Sequence, residues 1–225
     1  MKILVTLILS ILTTSLAVAQ YNFEPTTENP FGQPHPDAPQ QLKDFEPMIG
    51  ICDCKSMSRM PDGSWSDAVD MQWTFKYIMN GMAVQDETLK ADGKHSGSIR
   101  QFIADSSKWY VHYYSSNAPS LVLPTWEGKK KDGAIVLYRN QKSPNGIDGF
   151  YRLTFYDMTK TGYKWIGEWV SKDESIEYPT WKNRLCQKNL KEYILSQPIS
   201  VRVSFNNFFY VFGIAATHTN FNRNI

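Results

Sequence analysis

Three arginines and two carboxylates, Arg100, Arg139, Arg152, Asp86 and Glu168, stand in the middle of segments that otherwise read as aromatic-rich β-strands. An inward arginine can grip a carboxylate through two parallel hydrogen bonds. With a tyrosine beside it and rings around it, such a group can hold the head of an otherwise apolar molecule. The competing reading is structural. Mid-strand charges on a one-sided sheet face water, and a hairpin turning at Asp92-Gly93 sets Asp86 nearly opposite Arg100, where the two can satisfy each other.

Other chemistry is thinly represented. Ser98 near Arg100 and His95, or Asp86 beside Glu87, could be arranged for hydrolysis, but no nucleophile elbow, paired acid/base motif or metal motif accompanies them. No catalytic residue is therefore named, and a secreted hydrolase with an unrecognised site stays as an alternative. The four histidines, His35, His95, His112 and His218, form no pair at metal-ligand spacing. Of the three cysteines, Cys52 and Cys54 are poorly placed to bond each other, so one of them is expected to bridge to Cys186. Cys54–Cys186 is the working pair, with Cys52 open as the alternative. Either would staple the first strand to the last, which are neighbours in a closed meander.

The elements that must position these residues are strands punctuated by turns. Asp62-Gly63, Asn80-Gly81, Asp92-Gly93, Asp132-Gly133 and Asn145-Gly146 supply the positive φ angles of tight hairpins. Between and beyond them, strands are expected over 49–60, 69–79, 83–90, 98–104, 109–115, 121–127, 134–141, 149–157, 163–171 and 179–185, with a helical turn over 42–48 plugging one end. That is an all-β, up-and-down antiparallel barrel of about ten strands. In the second strand Met71, Trp73, Phe75, Tyr77 and Met79 share the face expected inside. Trp109, Val111 and Tyr113 share a face whose direction stays open.

Compartment and size follow from the termini and composition. Lys2, the apolar stretch 3–16 and the small-x-small site Ala17-Val18-Ala19 read as a secretory signal over 1–19, giving a secreted or periplasmic chain that begins at Gln20. The signal is too short to remain as a membrane span. About two hundred residues are left, enough for one domain with its own core. A net charge of +2 gives no reason to expect nucleic acid. Prolines over 20–41 describe an extended, weakly ordered lead-in, 42–186 the barrel, and 187–225 a tail of uncertain order that lacks turn punctuation.

The block 71–86, Met-Gln-Trp-Thr-Phe-Lys-Tyr-Ile-Met-Asn-Gly-Met-Ala-Val-Gln-Asp, followed by Gly97-Ser98-Ile99-Arg100 and Trp165-Ile166-Gly167-Glu168-Trp169, resembles a family of exported bacterial calycin-like domains of unknown function (domain-of-unknown-function 1579 type). The resemblance runs from about Leu42 to Arg184 and implies a lipocalin-like barrel, without naming a ligand. It also implies that a single barrel histidine, His112 or His95, could ligate haem as in other calycin-like barrels; otherwise no cofactor is expected. The expected function is binding of a small hydrophobic or amphipathic molecule in the interior. Trp73, Phe75, Tyr77, Tyr113, Trp126, Arg152, Trp165 and Trp169 are the lining candidates, and Arg100 is the anchor. A structural or interaction module with a filled barrel is the other alternative.

Overall fold

The computed structural model describes residues 21–189; the signal segment, its cleavage site, His218 and all of the tail beyond Asn189 lie outside the described residues. Ten strands follow one another: β1 (Gly50–Ser58), β2 (Val69–Ile78), β3 (Ala83–Lys90), β4 (His95–Ile103), β5 (Lys108–Ser115), β6 (Thr125–Lys131), β7 (Ala134–Asn140), β8 (Gly149–Thr159), β9 (Gly162–Ser171) and β10 (Glu177–Lys188). Each pairs antiparallel with its sequence neighbours, and β1 pairs with β10, closing the barrel. Closure leaves no open sheet edge. Among the described residues no helix is long and apolar enough to cross a membrane.

The turn chemistry explains the meander. All five glycines of the Asp-Gly and Asn-Gly pairs have positive φ, and at two hairpins the preceding residue does as well: Asn80 at 51° with Gly81 at 79°, and Asp132 at 50° with Gly133 at 80°. Two successive positive φ angles are what a tight primed turn needs to match strand twist. The β5–β6 connection differs from expectation. The strand begins at Thr125 instead of 121, and Leu121 and Val122 stand exposed in the preceding loop. An apolar Leu-Val-Leu run imitates a buried strand, whereas Lys129, Lys130 and Lys131, which do pair with β7, imitate a loop.

The two ends of the barrel are built differently. At the lower end a 3₁₀ helix (Gln40–Met48) plugs the opening with Leu42, Phe45 and Met48, all buried. Three residues per turn puts positions three apart on one face, so this spacing presents all three side chains to the barrel. Pro47 within the helix and Pro39 at its start favour a short, tight element over a longer α-helix. The proline-rich segment ahead of it, expected to be loose, is held across the β2–β3 turn. His35 donates its backbone N–H to the Gly81 carbonyl, Tyr77 donates to the Phe31 carbonyl, and the Asn80 side chain accepts from the Phe23 N–H at 3.1 Å. At the upper end five loops surround an opening, with no plug among the described residues.

The closing seam is the least regular part of the sheet. Register shifts fall between Cys54 and Ser56 where β1 meets β10, and between Pro179 and Trp181 and between Asn183 and Cys186 where β10 meets β9. Pro179 has no N–H for the ladder, which suits a bulge. Across this seam Cys54 and Cys186 are directly paired, their Cα atoms 4.2 Å apart, and joined by a disulfide. Cys52 is the free, buried thiol.

Two outcomes follow. A Cys54→Ala/Cys186→Ala variant should lose about 2–5 kcal/mol in urea denaturation, because the bridge closes a loop of 132 residues in the unfolded chain; a loss below about 1 kcal/mol would show that the seam holds without it. Burial pushes the Cys52 thiol up to about 11, so the folded protein keeps a proton that the unfolded chain releases from about 9. The thiol's share of stability is therefore lost as pH rises between those values. At neutral pH an alkylating reagent should modify Cys52 only after unfolding, as read by mass spectrometry.

Candidate functional site

The interior is filled below and hollow above. In the lower half Phe45 packs edge-on against Trp109 with centroids 4.7 Å apart, and Phe75 and Phe155 stand around it. Ring pairs in such arrangements contribute about 0.5–1.5 kcal/mol each beyond the area they bury. Above this layer lies a cavity of about 270 Å³, reaching to the rim at Pro124 and Gln141. Its walls are largely apolar, with Met71, Trp73, Val111, Tyr113, Trp126, Leu153, Trp165 and Trp181 among them.

A buried ion pair forms the floor. Arg100, with its guanidinium inside the ring layer, lies 5.0 Å from the Phe45 and Phe75 centroids and 5.4 Å from that of Phe155. Its Nη2 is 2.7 Å from Asp86 Oδ1. The alternation of β3 and β4 produces this contact. Asp86 pairs with Ser98 and Val84 with Arg100, so the inward acid and inward arginine are diagonal neighbours on one face. Asp86 is saturated: Ser98 Oγ donates to Oδ1 at 2.5 Å and Trp73 Nε1 to Oδ2 at 2.7 Å. Burial holds Arg100 below its ordinary pKa while Asp86 pulls the other way, and an arginine so placed stays charged. Its Nε and Nη1, both buried, have no hydrogen-bond partner among the described residues.

Arg139 is the second cation in the wall, nearer the rim. It shares the inward face of β7 with Ile135 and Leu137 and is paired across the sheet with Tyr151 of β8. Its guanidinium carbon lies 4.4 Å from the Trp126 ring centroid, and Nη2 donates to Gln141 Oε1. Burial lowers its pKa, opposed only by Tyr151. The Arg139 Nε, the Trp165 Nε1 and both polar atoms of the Asn183 amide are buried without partners among the described residues, and all three residues line the cavity.

The expected lining divides into four groups. Trp73, Arg100, Tyr113, Trp126 and Trp165 meet in the cavity wall. Phe75 and Tyr77 are inward but lie below it, in the filled half, because β2 runs down towards the plug. Trp169 sits on the inner face at the upper end, where Nε1 donates to the Gln141 carbonyl at 3.0 Å. Arg152 corrects the expectation. It lies on the outer face, where Glu168 at 2.9 Å and Glu174 and Glu177 at 2.6 Å surround it. Partial burial opposes its charge, but the three carboxylates outweigh that and raise its pKa. Three acids from β9, β10 and the loop between them gave no signal in the sequence around position 152. Arg139, Leu153 and Asn183 are wall residues that the lining candidates omit; the inward parity of Arg139 with Ile135 and Leu137 was the available signal.

Neither histidine offered for haem faces the cavity. His112 is on the outer face with Nδ1 2.9 Å from Thr125 Oγ1, and His95 is exposed at the start of β4. The wall does not fit a histidine-ligated haem. Ser98, engaged with Asp86, has no histidine among its partners.

No family model matches this chain, and no curated protein does. Matches among solved structures include the crystal structure of a protein of unknown function from the DUF3598 family of Nostoc punctiforme, at 5% identity. The match covers 67% of this chain and 99% of that one, with a TM-score of 0.23, too low to carry an argument.

Breaking the floor pair should be costly. Asp86→Asn, which leaves a buried arginine charge uncompensated, should lose about 3–5 kcal/mol in urea denaturation, and Asp86→Leu/Arg100→Met should recover at least half of that. A single-variant loss below about 1 kcal/mol would mean that Arg100 reaches water.

Proposed function

We propose that the upper half of this barrel binds a small, largely apolar molecule, in an exported protein of calycin-like build. The observation that carries the reading is a cavity of about 270 Å³ with largely apolar walls, four of whose lining residues, Arg100, Arg139, Trp165 and Asn183, hold buried polar atoms without hydrogen-bond partners among the described residues. Leaving such atoms unsatisfied in a dry interior costs about 1–3 kcal/mol each, so a barrel selected only for stability would close this space with packed side chains, as its own lower half does. A bound molecule gives the rings something to pack on and the orphaned donors something to bond. The cross-strand disulfide is compatible with an oxidising compartment and with the export signal read at residues 1–19.

The volume bounds the ligand. Small-molecule sites usually offer ~300–1,000 Å³, so this cavity suits one or two rings or a short branched chain better than a long acyl chain. The connections at the upper end expose apolar side chains, including Met60, Leu121, Val122, Ile147 and Ile176, so an apolar molecule would approach the interior past an apolar surface.

Native mass spectrometry of freshly purified protein should show a co-purifying small molecule. The uncharged fluorophore N-phenyl-1-naphthylamine should bind with one site per chain. Val111→Trp, which fills the cavity, should weaken that binding at least about tenfold, whereas Arg152→Gln on the outer face should leave it unchanged. Absence of both a co-purifying molecule and probe binding would overturn the reading in favour of an interaction module.

A further inference from the structure

The cavity wall contains three formally charged side chains among the described residues: Asp86, Arg100 and Arg139. The first two neutralise each other at 2.7 Å. Arg139 makes no ion pair among the described residues; its hydrogen-bond partner is the neutral Gln141 amide, its guanidinium rests on Trp126, and its Nε is buried and unpaired. An arginine does not shed its proton to escape this position. The wall therefore carries one unbalanced, half-buried positive charge against largely apolar neighbours, where a matching ion is bound more strongly than in open water.

We propose that the ligand is a compact monoanion, a carboxylate or sulfonate on a body of one or two rings, whose acid group is held by Arg139. This rests on the reading of the upper barrel as a binding cavity and adds the charge and the orientation. Since Arg100 is neutralised by Asp86, one negative charge balances the wall and a second would not be matched. Arg139 is two residues from the rim residue Gln141, and Arg100 lies on the floor among phenyl rings. The apolar body consequently goes in first, towards Trp73, Leu153 and Phe155, and the acid group stays near the mouth beside Arg139 and Tyr151. That inverts the orientation in which Arg100 would be the anchor.

Two probes that differ in a single sulfonate test this on the intact mature protein: 1-anilinonaphthalene-8-sulfonate and uncharged N-phenyl-1-naphthylamine. The anionic probe should bind about tenfold to a hundredfold more tightly than the neutral one, the range expected of a charge-assisted contact. Arg139→Met should abolish that preference, bringing the two probes' affinities to within about twofold of each other, and Arg139→Lys should retain part of it because the charge remains without the planar fork. If the neutral probe binds and the anion has no advantage, or Arg139→Met weakens both equally, the monoanion proposal fails and the cavity reading stands. If neither probe binds the unsubstituted protein, native mass spectrometry decides: the absence of a co-purifying molecule ends the cavity reading, and a co-purifying molecule without an acid group ends the monoanion proposal. The comparison of probes on the unsubstituted protein does not require any variant to fold.

Discussion

The ion pair between Asp86 and Arg100 divides this barrel into a core and a cavity. Two opposite charges taken out of water are tolerated only when their geometry is good and their remaining lone pairs and protons are served. Asp86 meets that condition through Trp73, Ser98 and Arg100. Arg100 meets it in part, by lying against three phenyl rings whose faces are weakly negative. Those rings belong to the 3₁₀ plug, β2 and β8, so one guanidinium ties the plug to opposite sides of the barrel. Beneath the pair aromatic and aliphatic side chains fill the interior. Above it the wall turns inward groups such as Thr88, Ser96 and Ser98 that are too small to meet across the interior. The hollow is a consequence of side-chain size on β3 and β4 set against a floor that cannot move upward without abandoning Asp86.

The seam between β1 and β10 imposes the second constraint. A meander closes only if its first and last strands meet in register, and here they do so with bulges on both flanks of β10. Bulges raise local twist and give up ladder hydrogen bonds, which makes the closing strand the natural place for opening to begin. The Cys54–Cys186 bridge sits at that weak point. Trp181 and Asn183 of the same strand reach the cavity wall, and Trp181 Nε1 donates to Ser56 of β1 at 2.7 Å. Holding the seam therefore also fixes one wall of the cavity.

The architecture was legible because its signals are local. Turn glycines, the spacing of Leu42, Phe45 and Met48, and the period-two alternation of β2 each encode their structure within a few residues, though that alternation ends at Tyr77, since Met79, expected inside, stands exposed with a positive φ in the turn. The site was legible only where inward parity was. Trp73 follows from alternation, whereas Tyr113 lies on a face whose direction periodicity leaves open, and how far up the barrel a residue sits depends on where β2 meets the plug, which no local pattern carries. Phe75 and Tyr77 were thus expected in the wall and belong to the packed core. Arg152 shows the other limit. It stands on the outward parity of β8, one residue from the inward Tyr151, and on a strand with rings on both faces nothing local distinguishes the two.

The same limit explains why Arg100 was the arginine that sequence favoured for a ligand. Its strand context reads clearly, and its pairing with Asp86 follows from the Asp92-Gly93 hairpin. That pairing is also what removes it from competition, since a charge already neutralised at 2.7 Å has little left to offer an incoming anion. Recognition falls to the cation whose counter-charge the chain does not supply. Arg139 has that property because the inward neighbours on its own and adjacent strands, Leu137, Trp126, Tyr151 and Gln141, are all uncharged. Stability favours a partner within the fold for each inward charge, so the half-buried cation left without one marks the part of the interior open to a partner from outside the chain.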